Sequence, residues 1–217
     1  MDRFDCYFFD FDGTLADTEK DLAATWKKVM AMRHLECADF DRRFRVGPLL
    51  TEMSDELFPN LVGDAKEEVM QLYRRTYVEG NYPLTELYPG VREWLDGLLK
   101  SGKKLFLATN KYSAPTEALL RKTGLTGVFR KIYTPDCFPG GQLLKKVFLG
   151  RAVAEQNCDP ERCVMIGDTL SDLLAGRANG LKIGMVEWGY GDAAEIAAHH
   201  PDIWYAREPG TGRIVVR

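Results

Sequence analysis

The 217-residue sequence lacks most of the marks of a specialised protein class. Its five cysteines, Cys6, Cys37, Cys137, Cys158 and Cys163, are odd in number and never fall in a CxxC pair. A disulfide frame or a zinc site needs regular cysteine spacing, so these read as reduced core or surface thiols of a cytoplasmic protein. Histidine is scarcer: His34, His199 and His200 have no metal-ligand spacing with the acids and receive no role. A strong excess of one charge is also missing. The net charge of -3 provides no electrostatic pull toward nucleic acid or a membrane surface. No apolar run approaches the ~20 residues of a membrane span. The opening MDRFD is charged and runs into a short apolar segment, unlike a secretory leader. There is no internal repeat and no low-complexity segment. What remains is 45% hydrophobic and 28% charged, which suits one domain, or a main domain carrying a smaller insertion.

Two rhythms divide the chain. FDCYFF, residues 4–9, is a continuous apolar run of strand length, consistent with a buried strand. From residue 19 to about 80 the apolar positions recur at helical spacing, as in Leu22, Trp26, Val29 and Met30, or Val69, Leu72, Tyr73 and Tyr77. RVGPLL and FPNLVGD break this stretch into short helices, and it contains no strand pattern. After LYPG at 87–90, strand-like and helix-like segments alternate: a helix through Val91–Leu99, strands at KLFLATN, KIYT, CVMIGD, LKIGMV and finally DIWYA, and helices at 115–122, 145–156, 170–179 and 193–198. Alternation of this kind predicts an α/β fold with a Rossmann-like parallel sheet covered on both faces. The predicted organisation is an α/β core over 1–15 and 85–217, with a small all-helical cap domain over 16–84 inserted after the first strand, its two ends serving as a hinge.

The chemistry concentrates at strand ends. In open parallel sheets, sites form just beyond the carboxyl ends of the strands. The first strand ends in Asp10 and Asp12, the KLFLA strand in Thr109 and Asn110, and the CVMIG strand in Asp168, with Asp172 one helical turn later. Asp10 and Asp12 alone fit a strand followed by an Asx-type turn. Two close carboxylates repel, however, so the full set needs a cation or a shared proton. Carboxylates with open space between them bind Mg²⁺, which keeps several waters and a substrate phosphate. A carboxylate beside the ion can attack phosphorus, while a second acid protonates the leaving oxygen and later activates water. A hydroxyl, an amide and a lysine would supply donors where transition-state charge collects on the phosphoryl oxygens.

DFDGTLADT, LATNK, a lysine and MIGDTLSDLLAG, in that order, resemble the four motifs of the haloacid dehalogenase superfamily. LYPGVREWLDGLLKSGKK, VGPLL and EWGYG are similar to stretches of its phosphoglycolate phosphatase-like branch, so the resemblance covers nearly the whole chain. It implies Asp10 as nucleophile and Mg²⁺ ligand, and Asp12 as general acid/base touching the metal through its backbone carbonyl. Asp168 becomes a metal ligand, and Asp172 a ligand or a partner just behind one. Thr109 and the Asn110 backbone would hold phosphate, Gly13 would permit the tight turn, and Thr14 would hydrogen-bond within it.

The lysine motif departs from the Lys-Pro-x-Pro form of many relatives and reads GGQLLKKVFLG. Adjacent helix positions point about 100° apart. Phe148, Leu149, Ala152 and Val153 mark the buried stripe, and Lys145 lies on that side, which leaves Lys146 as a surface charge. Lys111 is read as solvated, and Arg42, Arg43 and Arg45 as a solvated cap face. Asp168 doubles as a helix cap, and Trp26, Trp94, Trp188 and Trp204 are packing residues. The expected activity is hydrolysis of a small phosphorylated metabolite by a cytoplasmic monomer or homodimer. A sugar-phosphate mutase or a non-enzymatic phospho-acceptor are the alternatives.

Overall fold

Four consecutive buried residues, Cys6–Phe9, form β1, the strand around which the molecule is organised. A strand covered on one face would alternate buried and exposed side chains; β1 does not, because both faces are covered. Phe8 stacks on Phe106 at 4.9 Å in one core layer, whereas Phe9 meets Trp94 edge-on at 5.2 Å in the other. A computed structural model of the chain describes residues 3–141 and 143–217, leaving Met1, Asp2 and Gln142 outside the description.

The chain leaves β1 through a two-residue strand β2 (Ala16–Asp17) and passes into α1 (Glu19–Arg33), α2 (Phe40–Arg43), α3 (Leu50–Leu57) and α4 (Gly63–Glu79). It returns through β3 (Glu86–Leu87) to α5 (Val91–Lys100), β4 (Lys104–Ala108), α6 (Ser113–Lys122) and β5 (Lys131–Tyr133). Then follow α7 (Lys145–Glu155), β6 (Cys163–Gly167), α8 (Leu170–Ala178), β7 (Lys182–Val186), α9 (Ala193–Ala198), β8 (Ile203–Arg207) and β9 (Ile214–Val216). The seven-stranded sheet runs β5-β4-β1-β6-β7-β8-β9. Phe9 is level with Leu107 of β4 and Ile166 of β6, both parallel neighbours, so the three strands end along one edge. That register brings Asp10, Thr109 and Asp168 to neighbouring strand ends.

The buried side of the helical stretch between β2 and β3 is continuous with the core layer that holds Phe9. Trp26 is buried between Tyr73, 4.4 Å away between ring centres, and Phe58 at 5.8 Å. Where the stretch leaves and rejoins the sheet, β2 and β3 pair antiparallel, Ala16 with Leu87 and Asp17 with Glu86. Asp21, buried in the first turn of α1, accepts hydrogen bonds from the Leu84 amide (3.1 Å) and the Thr85 hydroxyl (2.7 Å).

The structure corrects the sequence reading at the sheet's edge. DIWYA is not the last strand, because β9 folds back antiparallel on β8. Its run of three apolar residues is too short for a periodicity argument, and the turn relies on Gly210 and Gly212, both at positive φ. The thiols of Cys6, Cys158 and Cys163 also gather at the end of β1 and β6 remote from Asp10, with 2.8 Å between the Cys6 and Cys158 sulfurs. No sequence spacing announced that cluster.

Candidate active site

The turn after β1 is built to bring carboxylates together. The Asp10 amide donates to the Ile166 carbonyl at 2.8 Å, which continues the β1–β6 ladder by one residue. Gly13 then adopts φ +76°, a conformation open mainly to glycine. A Cβ there would stand 2.1 Å from Oδ2 of Asp168, so the close approach of the two loops requires glycine twice over. The Thr14 hydroxyl donates not within its own turn, as expected, but across to Asp168 Oδ1 at 3.0 Å. The other Asp168 oxygen accepts from the Tyr190 amide at 2.8 Å.

Asp10, Asp168 and Asp172 are buried and offer carboxylate oxygens within 4.8 Å of one another. Lys145, the first residue of α7, sits among them with its ammonium 3.0 Å from Asp10 Oδ1 and 2.5 Å from Asp172 Oδ1. Lys146 is exposed. The Asp172 carboxylate also accepts from the amide and hydroxyl of Thr169, at 3.1 and 2.7 Å. It therefore caps α8, which replaces the expectation that Asp168 does so.

One ammonium cannot neutralise three carboxylates. Burial pushes Asp10 up to about 7, opposed by the positive charge of Lys145 and reinforced by Asp172 and Asp12. Burial likewise drives Asp168 well above the usual carboxylate range, assisted by Asp172 and Asp10. Burial alone would lower Lys145, but the carboxylates of Asp10 and Asp172 outweigh it and hold the lysine above its ordinary value. The cluster lacks positive charge.

Asp12 stands apart from this trio. Its Oδ1 accepts from the Thr18 hydroxyl at 2.6 Å, and its Oδ2 lies 3.1 Å from the Lys111 ammonium. Asp10, Asp12, Thr109 and Asn110 line one pocket, roofed by residues of the helical stretch such as Trp26, Val46 and Tyr73. The Asn110 side-chain amide donates to the Gly47 carbonyl in that roof at 3.1 Å.

The chain as a whole has matches among known proteins. A family model for haloacid dehalogenase-like hydrolases aligns with residues 7–186. The chain belongs to this family. A phosphoglycolate phosphatase of Nitrosospira multiformis is 31% identical over 195 residues, 86% of this chain and 85% of the relative. The pyrophosphatase PpaX of Bacillus velezensis is 28% identical, covering 92% of this chain and 91% of its own length. In fold, the chain superposes on the crystal structure of a predicted phosphoglycolate phosphatase from Haemophilus somnus with TM-score 0.82 and 22% identity, over 93% of each chain.

Around this cluster, sequence reasoning misjudged Lys111 and overlooked two residues. Lys111 is not solvated: its side chain is only 6% exposed, and it contacts the Tyr77 hydroxyl at 3.2 Å as well as Asp12. The ring of Tyr77 lies 4.5 Å beneath the ammonium. Only the folding of α4 over the sheet edge creates that environment, so no local signal marked it. Thr18, which holds Asp12, follows the aspartate motif closely enough to have been included with it. Tyr190, in the EWGYG stretch, accepts from the Thr18 amide at 2.8 Å and donates to Asp17 at 2.9 Å through its hydroxyl. Arg42 and Arg45 are exposed as expected, Arg45 being paired with Glu56. Trp188 does more than pack, donating to the Thr14 carbonyl at 3.1 Å.

Proposed function

We propose that the protein is a Mg²⁺-dependent phosphatase that hydrolyses a small phosphomonoester through an aspartyl-phosphate on Asp10. The observation that carries this reading is the buried trio Asp10, Asp168 and Asp172, of which Asp10 and Asp172 share one lysine. Hard oxygen donors in this number suit Mg²⁺ better than a soft metal. Asp10 Oδ1 is buried with the Lys145 ammonium 3.0 Å away and meets no other donor among the described residues. Asp10 and Asp168 would hold the ion, with the Asp12 backbone carbonyl beside them. Asp172 either completes the ligand set or steadies it from behind. When bound, Mg²⁺ would offset the acids' repulsion and draw charge from the phosphoryl oxygens.

The residues of the chain then divide the work. Asp10 attacks phosphorus, forming a new P–O bond as the ester oxygen departs. Asp12 gives that oxygen a proton, and in the second step takes one from the water that cleaves the aspartyl-phosphate. Lys145, the Thr109 hydroxyl and the Asn110 amide meet the negative phosphoryl oxygens. Residues about 16–84 act as a cap that closes over the pocket and excludes water. The substrate is a small phosphorylated metabolite in the cytoplasm, with neither nucleic acid nor membrane as partner, and the active unit is a monomer or homodimer.

The deciding experiment measures release of phosphate from an aryl phosphate with Mg²⁺, with a chelator, and in Asp10→Asn. Turnover should require Mg²⁺ and vanish in Asp10→Asn, while circular dichroism and melting remain those of a folded protein. A fully active Asp10→Asn would remove Asp10 from the role of nucleophile.

A further inference from the structure

The roof of the pocket over Asp10 and Asp12 is largely apolar, yet it includes a guanidinium whose hydrogen bonds are incomplete. Arg74 lies on α4 and lines the same pocket as the two aspartates. Its Nη1 reaches Glu67 Oε1 at 3.3 Å, and its Cζ lies 4.8 Å from the ring centre of Tyr112. Its Nε and Nη2 are buried and have no hydrogen-bond partner among the described residues. Buried polar groups are nearly always paired, and unpaired charged donors are the costliest exceptions. Glu67 and Tyr112 set the plane of the guanidinium and occupy one side of it. They leave without a partner the edge that grips oxyanions in two-pronged fashion. Arg162 demonstrates that use elsewhere in the molecule, binding the two oxygens of Asp5 through Nε at 2.5 Å and Nη2 at 2.8 Å.

We infer that the Nε–Nη2 edge of Arg74 receives a second oxyanion on the substrate, a carboxylate or another phosphate, distant from the phosphoryl group under attack. The inference rests on the phosphatase reading and narrows its substrates to doubly anionic phosphomonoesters. The phosphoryl end has its own partners in Lys145, Thr109 and Asn110, so Arg74 is not needed there. Lysine could not replace it in full, because an ammonium supplies charge without the planar fork.

The test compares ω-carboxyalkyl phosphates, α,ω-alkyl bisphosphates and plain alkyl phosphates of matched chain length. Wild type, Arg74→Lys and Arg74→Met are assayed, with a melting curve for each. Wild type should favour at least one doubly anionic compound by roughly 10- to 100-fold in kcat/KM, mainly through KM, as expected for hydrogen bonds to a charged group. Which of the two anionic series is favoured identifies the oxyanion. The preference should fall near one in Arg74→Met and recover partly in Arg74→Lys. Absence of preference in wild type overturns the assignment, and so does a preference that survives in a folded Arg74→Met. If wild type hydrolyses none of the compounds, the phosphatase reading fails, and calorimetric titration then decides Arg74 separately. Tighter, Arg74-dependent binding of a doubly anionic probe supports the subsite, and equal binding of all three series overturns it.

Discussion

Asp10, Lys145 and Asp172 form a chain of contacts in which the lysine touches both acids, whereas Lys146, which the apolar stripe of α7 reads as a surface charge, is exposed. Lys145→Ala should reduce turnover by about 10²-fold or more, as loss of a preorganised charge beside the reacting group does. Lys146→Ala should leave kcat within about twofold, since surface changes away from such contacts are mild. Steady-state kinetics of the two variants check this, and a reversed pattern would shift the assignment by one residue. The same contacts set a pH dependence. The Asp10 carboxyl titrates near 7 in the folded state against 3.8 for an ordinary aspartate. Between those values the native protein holds a proton that the unfolded chain has lost. Stability of the metal-free protein should therefore decline from about pH 4 to about pH 7 on account of this group, then level off. Asp168, raised for the same reason, acts in the same direction. Melting temperatures in chelator should show the decline, Asp10→Asn should flatten it, and Mg²⁺ should stabilise more at about pH 8 than at about pH 5. A melting temperature that climbs through this interval in wild type relative to Asp10→Asn would contradict the assignment.

At the level of elements, the site depends on loops that approach too closely for most side chains. The turn after β1 and the loop after β7 both press on Asp168, one through Gly13 and the other through Gly189, where a Cβ would lie 2.1 Å from the Asp168 Cβ. Gly13→Ala adds both a strained φ and a collision with Asp168 Oδ2. It should cost about 2 kcal/mol or more in stability and displace the carboxylate, so that far higher Mg²⁺ is needed for activity. Denaturant unfolding and a Mg²⁺ activation curve measure the two effects separately. A variant that unfolds like wild type and needs no additional Mg²⁺ would show that the turn tolerates a side chain. Sequence motifs made this turn legible because Asp, Gly and Thr at fixed spacing constrain the backbone locally. Tyr190 and Lys111 were not legible, since their partners Asp168, Asp12 and Tyr77 arrive from elements far away in the chain.

For the whole molecule, the helical stretch lines the pocket together with the strand ends. The segment 45–50 reaches the strand ends, and its Gly47 carbonyl accepts from Asn110. Substitutions there should change preference among larger phosphomonoesters several-fold while altering hydrolysis of a small aryl phosphate much less. A substrate panel run on such variants checks this, and parallel changes on both kinds of substrate would count against a lid. By itself the sequence determined the alternation of strand and helix, the helical character of the stretch after β1, and the carboxylates at strand ends. Those features are written in local periodicity and in motifs whose residues are neighbours. Tertiary structure alone decided that the Lys111 ammonium is covered, that β9 closes the sheet, and that Arg74 keeps an unpaired edge. Each of these depends on which surfaces come to exclude water from one another, and that is a property of distant segments in contact, not of any one stretch of chain.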